Sequence, residues 1–171
     1  VVKGDHIRWR GEDLRQGELA LSEGSRLTAA GLGLLATFGH SMVDVYRKPK
    51  VAVLATGNEL VEPGQELGPA QVYDCNTSAI CAAVAEAGGE PIPLGIAMDD
   101  PESLRAKIIQ GLEADLLITV AGASVGEFDL VRGLLGELEA EEVFWGVSIK
   151  PGKPTGFCVC NNKPIFCLPG N

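Results

Sequence analysis

The chain has 171 residues, 46% of them hydrophobic and 22% charged, a make-up that excludes a disordered chain and suits one domain with an appendage. No apolar run approaches the ~20 residues that cross a bilayer, and the opening residues Val1-Val2-Lys3-Gly4-Asp5 lack the layout of a secretory leader, so a cytoplasmic location is expected. The formal charge of −9 is uneven: residues 1–50 carry eight Lys/Arg against six Asp/Glu, and residues 51–171 carry six against seventeen. Such an acidic half repels a polyanion, which argues against nucleic acid as a partner.

Up to about Lys48 the chain is turn-rich. Ile7-Arg8-Trp9-Arg10 and Leu19-Ala20-Leu21 read as brief strands, and Thr28 as the N-cap of a helix over Ala29–Phe38 stopped by Gly39. From Lys50 the pattern changes. Val51–Ala55 is a continuous apolar run, as in a strand covered on both faces, and it ends in the turn Thr56-Gly57-Asn58-Glu59. Asn76 or Thr77 can cap a helix to Glu86, ended by Gly88-Gly89. A strand over Pro91–Ala97 follows, then a helix opened by Asp99-Asp100-Pro101 and running to about Gln110. A strand over Asp115–Thr119, a loop over Val120–Glu127 and a helix near Asp129–Leu138 come next. Strands at Val143–Ile149, Thr155–Val159 and Pro164–Leu168 close the chain. Strands alternating with helices indicate βαβ units, so the expected fold class is α/β with a largely parallel sheet over residues 49–171, preceded by a small β-rich appendage over residues 1–48. The five cysteines are scattered, and Cys158-Val159-Cys160 reads as strand alternation because no second metal-binding pair accompanies it.

Ligands of open α/β sheets bind at the carboxyl ends of the strands. Four polar loops fall at such ends: Thr56–Glu59, Met98–Asp100, Ala121–Asp129 and Lys150–Pro154. In the third, Gly122 and Gly126 allow backbone N–H groups to approach a phosphate, and Ser124 adds a donor. Asp129 could cap the next helix, or hold a magnesium ion or a water against a phosphate. Two of the six basic residues in 51–171 sit in Lys150-Pro151-Gly152-Lys153-Pro154, a stiff turn suited to an anion. Glu59, Asp74, Asp99 and Asp129 could gather at one sheet edge. A hydrolase triad is disfavoured, since His6 and His40 both lie in the appendage.

Taken together, Thr56-Gly57-Asn58-Glu59-Leu60 with Pro63-Gly64, Asp74-Cys75-Asn76-Thr77, Gly122–Asp129, Lys150–Pro154 and Leu168-Pro169-Gly170-Asn171 resemble the molybdopterin molybdenumtransferase family, which includes MoeA and the gephyrin E domain. Ile7–Asp13 and Gly24-Ser25-Arg26-Leu27 resemble the segment that leads into the family's molybdopterin-binding domain. The resemblance implies a three-layer α-β-α domain of the MoaB/Mog type, and insertion of molybdate into adenylylated molybdopterin with release of AMP, assisted by Mg²⁺. By position it implies activity-supporting carboxylates at Glu59, Asp99 and Asp129, with Asp129 the candidate Mg²⁺ ligand. It implies anion contacts at Lys150 and Lys153, and ligand-side loops at Thr56, Gly57, Asp74, Gly122, Ser124, Gly126, Gly152, Pro154, Pro169, Gly170 and Asn171. A homodimer involving the N-terminal segment and an adenylyltransferase partner of the MoaB/Mog type also follow from it.

The family usually shows Ser/Thr-Gly-Gly where Val120-Ala121-Gly122 stands, and some members carry lysine at the position of Gly146. It also continues past Asn171 into a helix and a further β domain, so the chain is expected to be a fragment. Two alternatives remain open at this stage: a non-catalytic pterin-binding or dimerisation module, and a MoaB/Mog-like adenylyltransferase.

Overall fold

The computed structural model describes residues 2–120 and 130–170. It divides into two compact units, Val1–Tyr46 and Arg47–Asn171.

The first unit holds α1 (Ala29–Thr37), and its other described residues are turns, bends and irregular segments. Thr28 caps α1, its hydroxyl accepting from Gly31 N at 3.3 Å. At the other end Gly39, at φ +81°, closes the helix with the His40 amide donating to Leu35 O at 3.0 Å. The short strands expected at 7–10 and 19–21 are absent from the described residues. The reason is local competition. Acidic side chains turn back on the amide three residues before them, Asp5 on Val2 at 2.8 Å, Glu12 on Trp9 at 2.8 Å and Glu18 on Arg15 at 2.9 Å. In each turn the acidic residue's own amide returns to the first residue's carbonyl, so these closed turns occupy Trp9 and the residues that flank the two expected strands.

The second unit contains β1 (Lys50–Thr56), β2 (Leu60–Val61), β3 (Val72–Tyr73), α2 (Asn76–Glu86), β4 (Glu90–Ala97), α3 (Pro101–Gly111), β5 (Leu116–Val120), α4 (Leu130–Glu137), β6 (Glu141–Trp145), β7 (Gly156–Cys160) and β8 (Lys163–Leu168). Six strands form one sheet in the order β4-β1-β5-β8-β7-β6, and β2 and β3 pair in a small sheet of their own. β4, β1, β5 and β8 run parallel, whereas β7 and β6 are antiparallel to their neighbours. The antiparallel turn between β7 and β8 is made by Asn161 and Asn162 at φ +50° and +61°, the backbone of a tight hairpin that asparagine tolerates.

Hydrophobic burial fixes the layers. Ala52, Leu54, Leu117, Ile165 and Cys167 point to one face, where they pack with Leu104 and Ile108 of α3 and Val131, Leu134 and Leu135 of α4. Val51, Val53 and Ala55 alternate to the other face, and α2 packs on β1 and β4. Asp100 caps α3 by accepting from the amides of Glu102 at 3.1 Å and Ser103 at 2.9 Å, with Pro101 in the first helical position. The expected cap of α2 at Asn76 or Thr77 is instead supplied by Asp74, whose Oδ1 accepts from Thr77 N at 3.1 Å. β6 begins and ends earlier than the strand expected at 143–149. Gly146, at φ +92°, turns the chain, and Val147 N donates to Lys153 O at 2.9 Å rather than to a sheet neighbour.

Candidate functional site at the carboxyl edge of the sheet

Strand register defines one edge of the sheet. Thr56 pairs with Ala97, Ala55 with Val120, Val120 with Leu168, Cys167 with Gly156, and Gly156 with Trp145. These are the last or next-to-last residues of the parallel strands, the first of β7 and the last of β6. The segments 57–59, 98–100, 146–155 and 169–170 therefore leave the sheet at the same edge. The order β4-β1-β5 also makes this the place where successive connections diverge to either side of β1, the usual ligand crevice of an open α/β sheet.

The β1 and β4 loops are bonded to each other. Gly57 N donates to Ala97 O at 3.2 Å. The Asn58 amide donates to Asp99 Oδ2 at 3.2 Å, and the Asp99 amide to Asn58 Oδ1 at 3.0 Å, a reciprocal pair that locks one loop to the other. Gly57 is buried at φ +146°, and a Cβ there would lie 2.6 Å from Glu59 Oε2, so the Glu59 carboxylate folds back over the glycine. Only glycine permits that approach. Glu59 and Asp99 are both exposed and face solvent.

The hydroxyls of Thr56, the last residue of β1, and of Thr119, whose strand neighbours Leu54 and Cys167 belong to the core, are buried, and no partner for either exists among the described residues. A buried hydroxyl left without a bond costs about 1–3 kcal/mol. Asp74 is 6% exposed and its carboxylate is engaged by the N-terminus of α2. Burial, with the Asp74 charge adding to it, pushes the Cys81 thiol above its ordinary pKa. Asn76 Nδ2 donates to Gly170 O at 3.0 Å and so ties α2 to the terminal loop after Pro169.

The lysine turn is built on internal bonds. Gly146 N donates to Thr155 O at 2.9 Å, Val147 N to Lys153 O at 2.9 Å, and the Thr155 hydroxyl to Gly152 O at 2.7 Å. Gly152 takes φ +109° against Ile149, Pro154 is half-buried, and the Lys150–Pro151 peptide is cis. Lys150 and Lys153 are exposed, and among the described residues neither ammonium has an ion-pair or hydrogen-bond partner.

Gly122, Ser124, Gly126, Asp129 and Asn171 lie outside the described residues. Among the described residues no three His, Cys, Asp or Glu side chains gather as a metal site. Asp129, the expected Mg²⁺ ligand, is among the residues outside that description. Two clefts of about 540 Å³ lie within the first unit and include none of the sheet-edge residues. Sequence reasoning missed Asn58, Asn76 and Thr119. Asn58 and Asn76 stood inside quoted motifs, but only the fold reveals which carbonyl or carboxylate each one meets.

Residues 52–171 match the family described as "Probable molybdopterin binding domain", and residues 1–39 match the "MoeA N-terminal region (domain I and II)". The chain is similar to a molybdopterin molybdenumtransferase of Bacillus subtilis, 37% identical over 98% of this chain and 39% of the relative. Among solved structures it is similar to a molybdopterin biosynthesis MoeA protein from Pyrococcus horikosii, 45% identical with a TM-score of 0.82, over 94% of this chain and 40% of that one. A MoaB enzyme from Thermus thermophilus, at 18% identity and TM-score 0.53, shares the fold over 72% of this chain and 82% of its own. The chain spans about two fifths of the length of the curated relatives it matches.

Proposed function

The chain belongs to the molybdopterin-binding domain family, and from that premise we propose that its second unit binds molybdopterin, or adenylylated molybdopterin, at the carboxyl edge of the sheet. In the longer protein this binding serves insertion of molybdate into the adenylylated pterin with release of AMP. The observation that carries the reading is the shared edge. Two lysines that have no ion-pair partner among the described residues, a reciprocally bonded pair of loops and the terminal Pro169-Gly170 loop all leave the sheet there. The ligand and molybdate are both anions, which suits a lysine turn in an otherwise acidic unit.

In this mechanism Lys150 and Lys153 offset phosphate charge, including the charge that grows on AMP as the phosphoanhydride breaks. The rigid turn, with Gly152 and Pro154, holds them in place before the ligand arrives. Thr56 and Gly57 form the floor, and Glu59 and Asp99 present carboxylates to the reacting side. The Asn58–Asp99 lock keeps the latter carboxylate at a fixed place. Asp74 supports the start of α2 beside Gly170. Gly122, Ser124 and Gly126 supply amide and hydroxyl donors to phosphate, Asp129 is the candidate Mg²⁺ ligand, and Asn171 extends the terminal loop. The longer protein acts in the cytoplasm as a homodimer and receives its substrate from an adenylyltransferase of the MoaB/Mog type.

Titration calorimetry with molybdopterin tests the assignment. Lys150→Ala and Asp129→Ala should each weaken binding by about tenfold or more, as loss of a charge-assisted contact does. Unchanged affinity in both variants removes the site.

A further inference from the structure

The end of β6 carries a cluster that the proposed chemistry does not use. On β7, Gly156 and Cys158 share a face, and their partners on β6 are Trp145 and Glu142. Those partners are three residues apart, a spacing that in a regular strand puts side chains on opposite faces. The register slips between Glu142 and Phe144, and this β-bulge turns both Glu142 and Trp145 toward α4. There they meet Arg132, in the first turn of α4. Its guanidinium bonds the Glu142 carboxylate in a fork, Nε to Oε2 and Nη2 to Oε1 both at 2.8 Å, and lies 5.1 Å from the centre of the Trp145 ring. The ring in turn rests on Gly156, where an added Cβ would come within 2.5 Å of Trp145 Cε3.

This ion pair is half-exposed, at 50% and 38% for the two side chains, so it adds little to folding stability. Its planar fork and stacked ring do restrict orientation. What it connects is informative. Trp145 and Gly156 are the two residues from which the 146–155 turn springs. Arg132 lies three positions after Asp129 in the sequence.

We propose that the Glu142–Arg132–Trp145 stack, seated on Gly156, is a positioning device that fixes the root of the lysine turn to the start of α4 and thereby sets the affinity for a phosphate-bearing ligand. The inference rests on the lysine turn being the anion contact. Trp145, Glu142 and Arg132 act here through the turn and do not themselves touch the ligand. Bulges beside sites commonly re-aim side chains in this way.

A double-mutant cycle on the whole chain, read by calorimetric titration with molybdopterin, tests it. Trp145→Ala should weaken binding about tenfold, since misplacement of a contact group is costly, and Trp145→Phe should recover affinity to within about threefold by restoring a ring under the guanidinium. In a Lys150→Ala/Lys153→Ala background, Trp145→Ala should add less than about twofold, because both contacts it positions are already gone. A merely structural role gives additive losses, which overturns the proposal. Glu142→Gln gives an independent reading should Trp145→Ala fail to fold, and should weaken binding in the same non-additive way. If Lys150→Ala weakens binding but Trp145→Ala and Glu142→Gln do not, the positioning role is wrong and the anion site stands. If Lys150→Ala itself changes nothing, the site reading fails and this inference fails with it.

Discussion

Asp115 sits between the chain entering β1 and the start of β5. Its carboxylate takes both Arg47 guanidinium nitrogens at 2.5 Å and the Lys50 amide at 2.7 Å. The Arg47 hydrogen bonds, and after them the Lys50 amide, hold its pKa well below the ordinary carboxylate range. A depressed folded-state pKa means the stabilisation is present above the unfolded aspartate value of about 3.9 and is lost as pH falls below it. Asp115→Asn should therefore lower stability at pH 6 and flatten the acid limb, so that urea midpoints of the two proteins converge between about pH 4 and pH 2. A constant gap across that window would show that the charge is not what Asp115 contributes. At the same scale, Thr28 and Asp100 were legible as caps because an oxygen-bearing side chain precedes each helix. Asp74 was not recognised as the cap of α2, since Asp74, Asn76 and Thr77 all carry a capping oxygen and only the backbone decides among them.

At the scale of elements, burial of one face of the sheet under α3 and α4 is what holds the second unit together. Ile165, fully buried on β8, faces that core. Ile165→Ala should cost about 2–5 kcal/mol in denaturant unfolding, the usual range for a large-to-small change in a close-packed core. A loss below about 1 kcal/mol would mean that this face can collapse or is not tightly packed. The parallel strands were readable because each is a continuous apolar run between turn residues. The two-residue strands β2 and β3 were not, since their pairing of Leu60 with Val72 depends on a contact twelve residues away rather than on any local pattern. The bulge at Val143 was equally hidden, because Glu-Glu-Val-Phe-Trp does not say which residue is the extra one. The appendage misled the reading in the opposite sense: alternating residues suggested strands, while the acidic residues three positions on favoured closed turns.

At the scale of the whole molecule, four of the motifs quoted from the sequence fall in segments that begin at one sheet edge, although they are spread from Thr56 to Gly170. Topology, not proximity in the chain, assembles them. The most direct test is a two-dimensional amide NMR titration of the chain with molybdopterin. The account predicts that the amides of Gly57, Asp99, Val147, Lys153 and Gly170 shift together and saturate with one dissociation constant, while those of α1 stay in place. Shifts confined to a single one of these loops, or loops saturating at separate midpoints, would contradict it.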